Sequence, residues 1–225
     1  DAGTALTSGS NNVAVGFEAL KTEDGHGSNT AIGYQSLKTL NAGQNSGNTA
    51  VGERSGTALT TGVNNVAIGD RALMTADADA YNTAVGSGAL STQNAGGSTY
   101  NTAFGYNAGT NITTGTLNTL IGGLNGDAIT TGGSNVGLGY FALTADTKGS
   151  KSVAVGTAAL GDQNFTSATD AFNVAVGQEA GRSVTTGSNN TFVGGLAGDA
   201  ITTSNSNVAI GKSALSSETT SNGNV

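Results

Sequence analysis

The chain has 225 residues, among them 37 Gly and no Pro, Cys or Trp, and only 10% are charged. This composition departs from that of an average globular domain and excludes a disulfide framework and thiolate metal sites. A formal charge of -7 with 8 Lys and Arg argues against nucleic acid as a partner, because phosphate backbones are held by clustered basic residues. No apolar run is long enough to span a bilayer, and no basic segment precedes a short apolar one, so neither membrane insertion nor a signal peptide is predicted.

The first predicted element is the strand Val13-Ala14-Val15 within NNVAVGFEAL (11–20), closed by a glycine turn at Gly16. After the loop KTEDGHG the phrase returns as SNTAIGYQSL (28–37), GNTAVGERSG (47–56) and NNVAIGDRAL (64–73). It continues as YNTAVGSGAL (81–90), YNTAFGYNAG (100–109), LNTLIGGLNG (117–126) and SNVGLGYFAL (134–143). KSVAVGTAAL (151–160), FNVAVGQEAG (172–181), NNTFVGGLAG (189–198) and SNVAIGKSAL (206–215) complete twelve copies. The anchor glycines, Gly16 to Gly211, are spaced by 17 residues except for gaps of 19, 19 and 21 after Gly33, Gly86 and Gly156. The chain is therefore read as one repetitive domain, 1–225, with a 17-residue unit filling about 11–215.

The register gives each position a physical role. Three residues before the anchor stands Val or Thr, and one before it an apolar residue, as in Val13/Val15, Val66/Ile68 and Val208/Ile210. Positions two apart share one strand face, and β-branched side chains suit a packed pleat. The small residue between them, usually Ala, makes the other face, so both faces can be buried: one in the coil and the alanine row against a second chain. Four residues before the anchor stands Asn in eleven of twelve copies, including Asn12, Asn65 and Asn207, with Ser152 the exception. Stacked coils about 4.8 Å apart would let these amides hydrogen-bond in a column. Gly16, Gly69, Gly211 and their counterparts fit a tight turn of positive φ.

The second half of the unit has two forms. In seven copies Leu stands four after the anchor (Leu20, Leu37, Leu73, Leu90, Leu143, Leu160, Leu215), followed by a polar loop of variable length. In the other five that place is Gly, and the apolar residue comes three later as Leu59, Ile112, Ile129, Val184 or Ile201. Either form supplies an apolar plug to its coil, and all length variation falls after Leu-type copies, marking the exposed edge. Two short strands per coil, joined by glycine turns, are expected.

The motif N-x-V/T-A-V/I-G-x-x-A, spread over nearly the whole chain, resembles the head repeat of YadA-like trimeric autotransporter adhesins and the repeats of phage tail fibres. That resemblance implies an all-β, left-handed parallel β-roll, a homotrimer packed through a shared apolar interface, and an extracellular place on a bacterial surface or phage virion. It further implies a structural and adhesive role, with a host-surface, matrix or glycan receptor. The adhesin repeat is usually shorter, and the Thr-Thr-Gly units with long loops look closer to the fibre type.

Little chemistry competes with that reading. His26 is the only histidine and reads as a loop residue, so nucleophilic catalysis through histidine has almost nothing to work with. Glu53 and Asp70 stack one coil apart beside Arg54 and Arg71, which reads as a surface charge lattice ahead of an acid-base pair. Glu23, Asp24, Asp77, Asp79, Asp146, Asp162 and Asp170 are loop acids that could meet calcium in pairs, but no EF-hand loop or glycine-aspartate array is present. Of the aromatics after the anchors (Phe17, Tyr34, Tyr106, Tyr140), Tyr140 alone has an aromatic neighbour, Phe141, and strand-end packing is expected rather than a sugar platform. Threonine pairs such as Thr60-Thr61 and Thr130-Thr131 fall in separated groups, which leaves an ice-binding solenoid, or a carbohydrate-active one, as the alternatives. No catalytic, cofactor or metal site is predicted, and no cofactor.

Overall fold

The computed structural model describes residues 1–225 and is a parallel β-solenoid of about twelve turns with no helix. It forms two compact units, Asp1–Thr114 and Gly115–Val225. The first carries β1 (Val13–Val15), β2 (Thr30–Ile32), β3 (Thr49–Val51), β4 (Val66–Ile68), β5 (Thr83–Val85) and β6 (Thr102–Phe104). These pair in sequence order, all parallel, with equivalent residues opposite one another: Val66 faces Thr83 and Ile68 faces Val85. The second carries β7 (Thr119–Ile121), β8 (Val136–Leu138), β10 (Val153–Val155), β12 (Val174–Val176), β13 (Thr191–Val193) and β14 (Val208–Ile210), paired the same way. Two residues each of β9 (Gly149–Ser150) and β11 (Thr169–Asp170) make a separate small ladder.

Each strand that precedes an anchor glycine is three residues long because the chain leaves extended geometry on both sides. Asn11 (φ 61), Glu18 (φ 55) and Leu20 (φ 49) take left-handed conformations in the first coil, and the same three places do so in later ones. The second strand expected per coil is therefore replaced by a turn. That turn still joins its neighbours: Leu20 N–H donates to Ser36 O at 2.9 Å, and Gln35 N–H to Phe17 O at 2.8 Å. The anchor glycine is required twice over. Gly69 has φ 128, and a Cβ there would lie 2.6 Å from the carbonyl of Gly86 in the next coil.

The core corrects the expected facing of the strand. The alanine row is the interior: Ala31, Ala50, Ala84, Ala103, Ala154 and Ala175 are fully buried, while Val13, Val15, Ile68 and Ile210 are exposed. A 17-residue coil encloses little space, so a small residue from the strand meets the buried plug from the opposite wall. Leu20, Leu37, Leu73, Leu90, Leu143 and Leu160 fill that place, with Leu59, Ile112, Ile129, Val184 and Ile201 doing so in the Gly-type coils. Burying one such side chain contributes roughly 1.5–3 kcal/mol.

Two exceptions confirm the volume constraint. Leu120 and Phe192 stand where Ala is usual, both fully buried, and both occur in coils whose fourth residue past the anchor is Gly. A Cβ on Gly126 would meet Leu120 Cδ2 at 2.9 Å, and one on Gly198 would meet Phe192 at 2.4 Å. Large on one wall is matched by absent on the other. Gly137, paired opposite Leu120, leaves room that Asn125 fills: its Oδ1 would lie 2.0 Å from a Cβ at Gly137.

The asparagine column forms as expected. Asn65 N–H donates to Asn48 Oδ1 (2.9 Å), Asn65 Oδ1 accepts Asn82 N–H (2.9 Å), and Asn65 Nδ2 donates to Asp79 O (2.7 Å). Asn12 Oδ1 accepts Asn29 N–H, and Asn207 Oδ1 accepts Asn224 N–H, each at 3.0 Å. Each side chain thus satisfies backbone groups of the coil above it. At Ser152, where the column lacks its amide, Gln163 stands in: its Oε1 accepts Asn173 Nδ2 at 2.8 Å and its Nε2 donates to Ser152 Oγ at 3.2 Å.

Candidate functional site

The feature most unlike an ordinary soluble surface is the outer face of the strands. Parallel in-register pairing lines the two outward positions of these strands into rows, and in the first unit the rows run Val13, Thr30, Thr49, Val66, Thr83, Thr102 and Val15, Ile32, Val51, Ile68, Val85, Phe104. The second unit repeats them from Thr119 and Ile121 to Val208 and Ile210. Ile68 is 38% exposed and Phe104 55%. Of the repeat residues singled out in the sequence, Val13, Val15, Val66, Ile68, Val208 and Ile210 lie on this face, Asn12, Asn65 and Asn207 in the column behind it, and Gly16, Gly69 and Gly211 at its closing turn.

Aromatic residues flank the rows. Phe17 and Tyr34 stack one coil apart, with centroids 5.6 Å apart and planes 11° from parallel, so Tyr140 and Phe141 are not the only aromatic neighbours. Arg54 lies 5.8 Å from the Tyr34 centroid. On the opposite edge Tyr81 and Tyr100 stack at 5.0 Å and 7°. That second edge, five residues before the anchors and including Phe172, is masked in the sequence because Asn, Ser, Gly, Leu and Lys fill the place elsewhere. Glu53 is exposed and Asp70 half-buried, each 3.9 Å from its neighbouring arginine, Arg54 or Arg71, an arrangement of surface charges. Asp70, Arg71, Ser87, Tyr106 and Asn107 line an open groove.

The buried carboxylates are a finding the sequence reading missed. Glu23, Asp79 and Asp146 read from the sequence as loop acids that could meet calcium, and all three are fully buried. Each lies one coil before an insertion. Asp79 Oδ1 accepts Ala95 N–H (2.9 Å) and Gly96 N–H (3.2 Å) in the loop that follows Gly86. Asp146 Oδ1 accepts Phe165 N–H at 3.1 Å, and its Oδ2 accepts Gln163 Nε2 at 2.5 Å, in the loop that follows Gly156. A widened loop cannot stack its amides on a shorter coil, and the carboxylate accepts those left over. The signal was present: Glu23 and Asp146 stand seven past their anchors, in the register of Leu59 and Ile112.

Burial pushes both Asp79 and Asp146 above the ordinary aspartate range, against the lowering effect of their hydrogen bonds. A carboxyl with a raised folded-state pKa binds its proton before the unfolded chain does, so stability increases as pH falls from neutrality toward 3.8 and is lost again as pH rises. The expected result is a denaturation midpoint that climbs on mild acidification in the parent and climbs less in Asp79→Asn/Asp146→Asn. Equal slopes in the two proteins would refute the assignment. Glu18 works oppositely: Lys21 and Lys38 lower its pKa to about 2, so its contribution is present above 4.5 and lost below.

Threonine hydroxyls are partly committed. Thr130 Oγ1 donates to Thr147 O at 3.0 Å and Thr185 Oγ1 to Thr202 O at 3.2 Å, which ties the first member of each pair to the next coil. No family model matches the chain, and neither a curated protein nor a solved structure matches it.

Proposed function

We propose that the chain is a structural and adhesive segment of an extracellular fibre, a left-handed β-roll assembled as a homotrimer, as in a bacterial surface adhesin head or a virion tail-fibre shaft. The observation that supports it is the outer sheet face, where an apolar row of Val, Ile, Leu and Phe, exposed or half-buried, runs beside a mostly half-buried row of Val and Thr coil after coil. Contiguous apolar surface of this kind belongs against a partner. A partner matching it must carry apolar rows at the strand spacing of about 4.8 Å. A second copy of this chain has that period by construction, and three copies around one axis would bury all their rows together.

The exposed parts of the three insertions, around Gly43, Gly96 and Ser167, would then point outward as the variable edge for a host-surface, matrix or glycan receptor. The role is non-enzymatic, since the two carboxyls with raised pKa are occupied by loop amides. Light scattering at micromolar concentration tests the assembly, with an expected mass of three times 21.8 kDa. A monomeric mass would overturn it and turn attention to ice binding or carbohydrate chemistry on a lone solenoid.

A further inference from the structure

The loop between the first two strands holds the only histidine, in Thr22-Glu23-Asp24-Gly25-His26-Gly27. Glu23 sits in plug register and is fully buried. Its Oε1 accepts the His26 backbone N–H at 3.1 Å and lies 3.0 Å from His26 Nδ1. Its Oε2 is buried with no hydrogen-bond partner. Asp146 spends both carboxylate oxygens on groups of the following coil, whereas nothing answers this one; Asp79 Oδ2 is likewise unpartnered but belongs to no cluster of three metal-ligating side chains. A carboxylate oxygen without solvent or donor is costly to bury, so a ligand for it is expected.

We propose that Glu23, Asp24 and His26 bind one first-row divalent transition-metal ion, with zinc the best fit. Asp24 Oδ1 lies 3.7 Å from His26 Nδ1, and one donor atom from each of the three residues falls within 4.8 Å of the others. Zinc bonds of about 2.0–2.2 Å to nitrogen and oxygen place neighbouring ligands roughly 3–3.5 Å apart, which these separations bracket. One imidazole with two carboxylates favours such an ion over magnesium or calcium, which take oxygen ligands. Asp24 and the His26 ring are partly exposed, leaving an entry path and room for water ligands.

The backbone is set before any ion arrives. Thr7 N–H and Thr7 Oγ1 donate to Asp24 O at 2.7 and 3.0 Å, and Asn12 Nδ2 donates to His26 O at 2.8 Å. Gly27 N–H donates to Asn45 Oδ1 at 2.9 Å. The loop is therefore held by the coils on both sides of it, and the ion would need to order only side chains.

Titration of the full chain, stripped with a chelator, by zinc chloride in a calorimeter tests the site. One ion per chain is expected, weakened at least tenfold in His26→Ala and in Asp24→Asn. Both residues are partly exposed, so the variants should fold, as circular dichroism would check. Because His26 is the only histidine, zinc should also slow its modification by diethyl pyrocarbonate, read by mass spectrometry. No saturable binding, unchanged binding in His26→Ala, or binding of calcium in place of zinc would each overturn the proposal.

Discussion

Gly69→Ala is expected to destabilise the fold by about 2–6 kcal/mol, combining backbone strain with overpacking. The residue sits at φ 128, where an L side chain is strained, and the new Cβ would lie 2.6 Å from the Gly86 carbonyl carbon and oxygen. Neither partner can give way, because Gly86 is itself pinned at φ 133 with Gly105 O 2.3 Å from its own would-be Cβ. The disturbance therefore passes along the stack, as in any solenoid whose coils rest on their neighbours. Gly97→Ala is the control: nothing lies within 4 Å of a Cβ there, and its φ is not left-handed, so a change within about 0.5 kcal/mol is expected. Denaturant unfolding of the two variants at equal protein concentration measures the contrast. Equal midpoints would mean that the anchor glycine is not dictated by coil stacking.

The parts legible in the sequence were those fixed by one residue type at one place. Asn65 and Gly69 each do a job that few other side chains can do, accepting a neighbour's backbone N–H in one case and tolerating close stacking in the other. Which strand face is interior was not legible from alternation, since Val66-Ala67-Ile68 offers an apolar surface on both sides. Leu120 and Phe192 held the answer. Each replaces the small central residue in a coil that has lost its Leu four past the anchor, and that exchange makes sense only if the two positions share one enclosed space. The buried acids were hidden for another reason. Glu23 looks like a loop residue until its register is compared with that of Leu59, and Asp79 is out of that register altogether, so its burial depends on the widened loop it supports.

The corrected facing changes what a charge on the strand should do. Val66 is only half-buried and Ile68 is 38% exposed, so a charge at either place faces outward and does not enter the coil. In a single chain both aspartates would point to water, and the interior formed by Ala67, Leu73 and the asparagine column would be untouched. In a trimer packed through this face, six like charges would meet in a dry interface. An uncompensated buried charge costs about 3–5 kcal/mol, so association should weaken by more than about a hundredfold. The expected result for Val66→Asp/Ile68→Asp is a light-scattering mass that falls from three chains to one, with the β signal in circular dichroism retained. A mass unchanged from the parent would place the subunit contact on another face, and loss of the β signal would mean that the outer rows hold the coil itself together.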